Sequence, residues 1–271
     1  MKVAAQTLLV VFFVLFFFVG LISATFKFQL LSYNFWQNTF EKHSVYQNLA
    51  VVSKNSFDSQ VAKEGGNKND VKILTDLITP ENAKDTIDNN LRNFLSFANG
   101  KSSQLNVYLP VDKVPKNLLP KNITGDKTIM PVTDLLTKFN FQNSQNLPLE
   151  ELSHVGTTVY YLFIATAFLF LLVITLLILL VDKGSGFVGL GIAFIVSGGL
   201  TFLLSNVAAG LNTVLIRDLT ASTSIVAVVA GTMFPPVITE ILPTWKILGI
   251  VLFFLGFVLF FIKKPSYNKS K

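Results

Sequence analysis

Four uncharged apolar stretches, each long enough to cross a lipid bilayer, constrain this chain more than any other feature of its sequence. A spanning helix needs about 20 apolar residues, because each residue rises about 1.5 Å and the hydrocarbon layer is about 30 Å thick. The stretches run from about Ala4 to Ala24, Thr158 to Val181, Gly186 to Ser205 and Trp245 to Ile262. The sequence therefore predicts a mainly α-helical membrane protein with four transmembrane helices.

A fifth uncharged stretch, Leu219–Thr239, is also long enough to cross, but it contains several Ser and Thr residues and the pair Pro235-Pro236. Five crossings would place Lys2 and the Lys-rich C-terminal end on opposite sides of the membrane, against the positive-inside bias. Proline pairs also interrupt helices. We therefore interpret residues 206–244 as an outer loop whose amphipathic helices lie on the membrane surface or re-enter it, with a crossing as the alternative.

The formal net charge of +6 lies mostly at the two ends of the chain. Residues 25–157 carry 14 Lys or Arg and 13 Asp or Glu, whereas residues 263–271 hold four Lys and no acid. This asymmetry is typical of membrane orientation rather than of nucleic-acid binding. We expect both termini in the cytoplasm, residues 25–157 and 206–244 outside, and no nucleic-acid partner.

This topology divides the chain into four parts. Residues 1–24 form an N-terminal transmembrane anchor, for which a signal peptide is the alternative because small residues follow the apolar run. Residues 25–157 form an extracytoplasmic domain of ordinary single-domain size. Residues 158–263 hold three transmembrane helices and the outer loop, and residues 264–271 form a basic cytoplasmic tail.

The clearest element of the extracytoplasmic domain is a helix that begins at Thr79-Pro80 and ends before Gly100. Thr is a good N-cap, Pro suits the first helical turn, and Gly suits the residue after a helix. Residues 105–109 alternate as a strand does, and residues 53–72 are predicted to form a loop. The domain is therefore mixed but mostly helical. The predicted helix carries one apolar stripe, formed by Ala83, Ile87, Leu91, Phe94, Leu95 and Ala98.

The same segment resembles a pattern in uncharacterised bacterial multi-pass membrane proteins that carry one extracytoplasmic domain after their first helix. The resemblance covers Pro80-Glu81 through Leu91, Phe94-Leu95 and Asn99-Gly100, followed by Leu105-Asn106-Val107. It implies a bacterial envelope protein and no particular activity.

The sequence predicts no catalytic, cofactor or metal site. There is no Cys, and the two histidines, His43 and His154, are too far apart in sequence to indicate a metal motif. Gly184–Gly189 matches the letters GxGxxG, but apolar spans flank it in place of the strand and helix that dinucleotide binding requires. Close helix packing is the better interpretation, and Ala193 and Ser197 continue the same small-residue face.

The sharpest polar feature of the predicted outer loop is Arg217-Asp218, with Val214 on the preceding apolar turn. Because Arg binds phosphate bidentately, these residues are our candidate contact for a lipid headgroup or a partner. A local ion pair at the membrane surface is the alternative.

We expect a non-catalytic envelope protein without a cofactor, which presents residues 25–157 for assembly or for binding an envelope protein partner. The alternative is a protein that binds or moves membrane lipid with the apolar outer loop 206–244. Both hypotheses require the same four spans, and membrane lipid is an expected partner in each.

Overall fold

The computed structural model describes residues 2–64, 72–73, 75–115, 129–138, 148–180, 185–220 and 225–261. Helix α1 (Lys2–Thr25) continues into a π-helical turn, Phe26–Leu30. The remaining elements, in chain order, are α2 (Tyr33–Lys42), α3 (Val45–Glu64), α4 (Pro80–Ala98), β1 (Asn106–Tyr108), a 3-10 turn (Val111–Lys113), β2 (Ile129–Pro131), α5 (Val132–Lys138), α6 (Leu149–Leu180), α7 (Ser185–Thr220) and α8 (Ile225–Phe261).

Four helical segments are long and apolar enough to cross a membrane, which confirms the predicted mainly helical chain with four candidate spans. They are Val3–Leu30, Leu149–Leu179, Gly186–Leu219 and Val226–Phe261. The chain divides into two compact units. The span unit comprises residues 1–28, 159–212 and 238–271, and the intervening unit comprises residues 29–158 and 213–237.

Glycines bring the helices of the span unit into backbone contact. A Cβ built on Gly198 of α7 would lie 2.5 Å from the backbone nitrogen of Phe253 in α8. A Cβ built on Gly256 would lie 2.6 Å from the carbonyl oxygen of Gly191. Ala193 and Ser197, predicted to continue the small-residue face, are both fully buried. This close approach is the packing mode of membrane helices, which gain little from apolar burial against one another.

Aromatic, cationic and hydroxyl side chains of the span unit form three contacts that join its different helices. Trp245 Nε1 donates a hydrogen bond to Thr25 Oγ1 at 3.0 Å. Lys27 Nζ lies 5.3 Å from the centre of the Tyr160 ring, and Lys246 Nζ lies 5.6 Å from that of Phe202. Trp, Tyr and Lys are typical of the boundary between membrane and water.

The structure corrects one prediction for residues 206–244, the helix break at Pro235-Pro236. Helix α7 continues to Thr220, and α8 begins at Ile225 and passes through Pro235-Pro236 without ending. These 36- and 37-residue helices are about 54 and 56 Å long at 1.5 Å per residue, well beyond a hydrocarbon layer of about 30 Å. Two adjacent prolines remove only two N–H donors, and long apolar helices tolerate such a local loss.

In the intervening unit, α4 begins and ends as its sequence predicts. Thr79 Oγ1 accepts a hydrogen bond from the backbone N–H of Asn82 at 3.2 Å, and Pro80 occupies the first turn. At the other end Gly100 has φ +69°, the left-handed conformation that favours glycine. The N–H of Gly100 donates to Phe97 O and that of Lys101 to Ser96 O, which together form a Schellman motif.

Helices α2, α3 and α4 supply most of the buried apolar side chains of the intervening unit, including Phe40, Val45, Leu49, Leu95 and Phe97. Strand β1 confirms the strand predicted at residues 105–109 over its three central residues, and it pairs with β2 in an antiparallel ladder that aligns Val107 with Met130.

The predicted loop at residues 53–72 is wrong over its first part, because α3 continues to Glu64. The sequence of this segment is polar and carries no apolar stripe, so its periodicity does not indicate a helix. Residues 65–71 lie outside the described part of the chain.

Candidate functional site

An apolar groove of about 450 Å³ lies in the intervening unit between α3, α4 and the first turns of α8. Leu49 and Phe57 come from α3, Ala83 and Ile87 from α4, and Met233 from α8. We call this cavity the apolar groove. Its remaining lining residues are Ala50, Ser53, Leu77, Ile78, Asn82, Thr86, Pro110, Val114 and Val229.

The polar side chains of the apolar groove are few, and its one amide is already engaged. Asn82 donates from Nδ2 to the carbonyl oxygen of Leu77 at 2.7 Å, and its Oδ1 accepts from Lys113 Nζ at 3.0 Å. The other polar lining groups are the hydroxyls of Ser53 and Thr86. The groove is therefore suited to an apolar ligand rather than to one that needs many hydrogen bonds.

Next to the groove, Asp85 of α4 is the centre of a hydrogen-bond network. Its Oδ2 accepts from Lys113 Nζ at 2.8 Å and from Tyr108 Oη at 3.0 Å, and its Oδ1 accepts from Asn89 at 2.9 Å. The bond from Lys113 lowers the pKa of Asp85, and the same bond raises the pKa of Lys113. This network ties β1 and the 3-10 turn to α4.

A second polar cluster joins α2 and α3 to the N-terminal half of α4. Tyr46 Oη donates to Asp88 Oδ1 at 2.5 Å, and Lys84 Nζ pairs with Glu41 Oε1 at 2.6 Å. Burial, followed by the bond to Asp88, raises the pKa of Tyr46 far above its ordinary value. Tyr46 therefore stays a neutral donor, and the cluster stabilises the fold.

The candidate contact predicted from sequence lies apart from the apolar groove lining. Arg217 Nε lies 3.2 Å from Asp218 Oδ1, and their side chains are 76% and 62% exposed. Val214 is also exposed on α7. The local ion pair named as the alternative is therefore present, and none of the three residues lines the groove.

Sequence reasoning missed the groove because its walls come from three distant parts of the chain. Val229 and Met233 both lie in the uncharged stretch Leu219–Thr239, which carries no pattern that indicates a binding site. The apolar stripe of α4 was the available signal, since Ala83 and Ile87 belong to it.

The described residues contain no group of three His, Asp or Glu side chains placed to hold a metal ion. His43 caps the C-terminal end of α2, and His154 lies within α6. Of the GxGxxG letters, Gly184 lies outside the described residues. Gly186 and Gly189 pack close to Leu177 and Gln6, as expected for helix packing rather than phosphate binding.

The fold and its four apolar helices define a multi-pass membrane protein. No protein family model, no curated protein and no solved structure matches the chain. Its function is therefore inferred from its own geometry.

Proposed function

We propose that the protein is a non-catalytic membrane protein that binds the apolar chain of a membrane lipid in the apolar groove. The observation that carries this proposal is the groove itself, whose volume of about 450 Å³ lies within the range of small-molecule sites. Part of its wall is the N-terminal end of α8, a helix apolar enough to span a membrane. A lipid chain is the apolar ligand that a membrane protein meets at high concentration.

The composition of the groove supports a lipid chain over a polar ligand. Apolar surface removed from water contributes about 25 cal/mol per Å² whatever the ligand's shape, so a flexible chain needs no directed bonds. The hydrogen bonds already made by Asn82 leave little to orient a polar molecule. Binding, rather than chemistry on the lipid, is what such a lining supports.

The test is lipid retained by the purified full chain, measured by extraction and mass spectrometry. Met233→Asp places a charge in the groove and should remove most of the co-purifying lipid. Phe234→Asp is the matched control, because Phe234 is the next residue of α8, is half-exposed and does not line the groove. Equal retention by both variants would refute the groove as the lipid site.

The exposed segment around Arg217-Asp218 stays a proposed second contact for a headgroup or a partner. Arg217→Gln together with Val214→Asp removes its cation and its apolar neighbour. If this segment holds lipid, the double variant loses lipid as Met233→Asp does; unchanged retention would exclude it.

A second candidate function is presentation of residues 25–157 to an envelope protein partner. It is supported by the separate buried residues and hydrogen-bond clusters of the intervening unit, which give a partner a fixed surface. A photo-crosslinking residue at the exposed Ile129 should then capture one discrete partner in intact cells. Capture of only a second copy of the chain would count against this function.

The orientation proposed for the chain places both termini in the cytoplasm and residues 25–157 outside, in a bacterial envelope. The Lys-rich tail beyond Ile262 supports this orientation, because cationic residues favour the cytoplasmic side. The absence of Cys from the sequence makes single-cysteine labelling clean. Labelling of position 267 in intact cells by a membrane-impermeant reagent would contradict the proposal.

A further inference from the structure

The intervening unit has a second cavity, of about 510 Å³, between the start of α2 and the last turns of α4. We call it the cationic cleft. Its lining contains the positive groups of Arg92 and Lys101 and no carboxylate. Its other polar lining residues are Tyr33, Asn34, Gln37, Ser96 and Asn99.

Arg92, which is exposed, stacks on Tyr33 and is hydrogen-bonded to it. Its Nη2 donates to Tyr33 Oη at 3.0 Å, and its guanidinium carbon lies 4.2 Å from the centre of the Tyr33 ring. An arginine is always charged in proteins, and the hydrogen bond to Tyr33 raises the pKa of Arg92 further. A stacked guanidinium keeps its remaining in-plane N–H groups directed outward, as a planar donor for an oxyanion.

Lys101 is positioned by the backbone of the Schellman motif that ends α4. Its N–H donates to Ser96 O at 2.8 Å, and the left-handed Gly100 directs the chain back over the last turn. These bonds involve only the backbone of Lys101. The backbone therefore places a second cation at the cleft, and the ammonium group takes no part in the turn.

The cations of the cleft differ from two other cations of the same unit. Lys84 and Lys113 lie 2.6 Å and 2.8 Å from the carboxylates of Glu41 and Asp85. Within the described ranges, no carboxylate lies at ion-pair distance from Arg92 or Lys101. Asp88, one helical turn before Arg92, accepts the hydroxyl of Tyr46, and its negative charge contributes to the raised pKa of Arg92 without forming an ion pair.

We infer that the cationic cleft binds the phosphate group of an anionic ligand, with Arg92 donating two parallel hydrogen bonds and Lys101 supplying the second charge. Arginine presents a fork that matches phosphate oxygens, and such charge-assisted bonds are the strong ones. Leu31, which also lines the cleft, directly follows the apolar segment Val3–Leu30. A phospholipid headgroup and free phosphate are the two sources of this chemistry.

The inference is independent of the apolar groove. Arg92 of the cleft follows Ala83 of the groove by nine positions, and Ser96 of the cleft follows Ile87 of the groove by the same distance in sequence. Nine positions are two and a half helical turns, so the groove and the cleft lie on opposite faces of α4. Loss of lipid chain binding at Met233 would therefore leave phosphate binding unchanged.

The test uses the full chain purified in a neutral detergent, with the affinity for inorganic phosphate measured by ³¹P line broadening. Lys101→Gln should weaken binding about tenfold, since a hydrogen bond to a charged group contributes at least that factor. Arg92→Lys keeps the charge but loses the planar fork, and should weaken binding as well. Lys84→Gln removes a paired cation and is the matched control, with affinity equal to that of the wild type.

The second arm exposes the same proteins to nanodiscs of phosphatidylcholine alone or with phosphatidylglycerol, and native mass spectrometry counts the bound lipid. Binding of either probe that Lys101→Gln weakens and Lys84→Gln leaves intact supports the inference. The probe that responds identifies the source as free phosphate or as the headgroup. If neither probe distinguishes Lys101→Gln from Lys84→Gln, the cleft is not an anion site. Because Lys101→Gln leaves the backbone bonds of the turn in place, misfolding would not explain its result.

Discussion

The span unit and the intervening unit hold their helices together by different contacts. In the span unit, α1, α6 and α7 pack apolar side chains around the buried Phe13, and Gly198 and Gly249 allow the backbones of α7 and α8 to touch. In the intervening unit, α4 is joined to its neighbours by apolar side chains and by hydrogen bonds that end on Asp85 and Asp88. Lipid offers no hydrophobic gain between helices, so close fit has to replace it, whereas water rewards apolar burial and satisfied polar groups.

The two units do not differ completely, because one glycine of the intervening unit also lies in close contact with a neighbouring backbone. A Cβ built on Gly156 of α6 would lie 2.7 Å from the Cα of Asn99. This approach brings the start of α6 against the C-terminal end of α4. Backbone contact at glycines therefore joins α7 to α8 in the span unit, beside the apolar packing around Phe13, and Gly156 is the one described instance of such a close contact in the intervening unit.

The largest expected effect comes from two neighbouring glycines of α7. A Cβ on Gly198 meets backbone atoms at 2.5–2.6 Å, whereas one on Gly199 meets nothing closer than 3.9 Å. Gly198→Ala should lower the free energy of unfolding by about 3 kcal/mol, the upper end for overpacking against groups that cannot move. Gly199→Ala should be neutral or stabilising by up to about 1 kcal/mol. Thermal unfolding in detergent measures both, and equal midpoints would show that α7 and α8 are not in backbone contact.

The next effect belongs to the hydrogen bonds of the intervening unit. Tyr46→Phe removes the donor to Asp88 at a buried position and should cost about 1.5–2 kcal/mol. Tyr108→Phe is the matched comparison, because Asp85 keeps its bonds from Lys113 and Asn89, and about 0.5 kcal/mol is expected. Chemical denaturation measures the free energy of unfolding of both variants. A larger decrease for Tyr108→Phe than for Tyr46→Phe would contradict the prediction that the bond to Asp88 stabilises the unit more than the bond from Tyr108 to Asp85.

A smaller effect is expected at the N-terminus of α4. Thr79→Ala removes the side-chain acceptor of the Asn82 N–H and should cost about 1 kcal/mol, while Thr79→Ser restores most of it. The loss should appear in unfolding of the intervening unit. An unchanged midpoint for Thr79→Ala would mean that water replaces the cap without cost.

The smallest effect is the acid sensitivity of the Asp85 network. Its bond from Lys113 holds the pKa of Asp85 below the value of about 3.9 typical of an unfolded chain. The stabilisation is therefore present above about pH 4 and is lost as pH falls through the folded-state pKa. Asp85→Asn and Lys113→Gln should each flatten part of the fall in unfolding midpoint below that pH. If the unfolding midpoint of both variants fell with pH as steeply as that of the wild type, Asp85 would not contribute to the acid sensitivity.

Sequence reasoning succeeded where the cause of a structure is local. The spans follow from the length of uncharged apolar runs, and α4 follows from Thr79, Pro80 and Gly100, each of which acts within one turn. It failed at Pro235-Pro236. The two prolines disfavour a helix locally, but the helix continues through them because the rest of α8 keeps its hydrogen bonds. It also missed the end of α3, whose polar sequence shows no helical stripe.

The amino-acid sequence by itself determined that this chain is mainly helical, that four of its segments are long and apolar enough to cross a bilayer, and that α4 begins and ends where it does. These properties depend on residues that are only a few positions apart. Only the tertiary structure decided where its two proposed ligand sites lie. The apolar groove joins Leu49 to Met233, and the cationic cleft joins Tyr33 to Arg92 across 59 positions. Such contacts leave no local pattern, since the free energy that forms them comes from packing distant segments together.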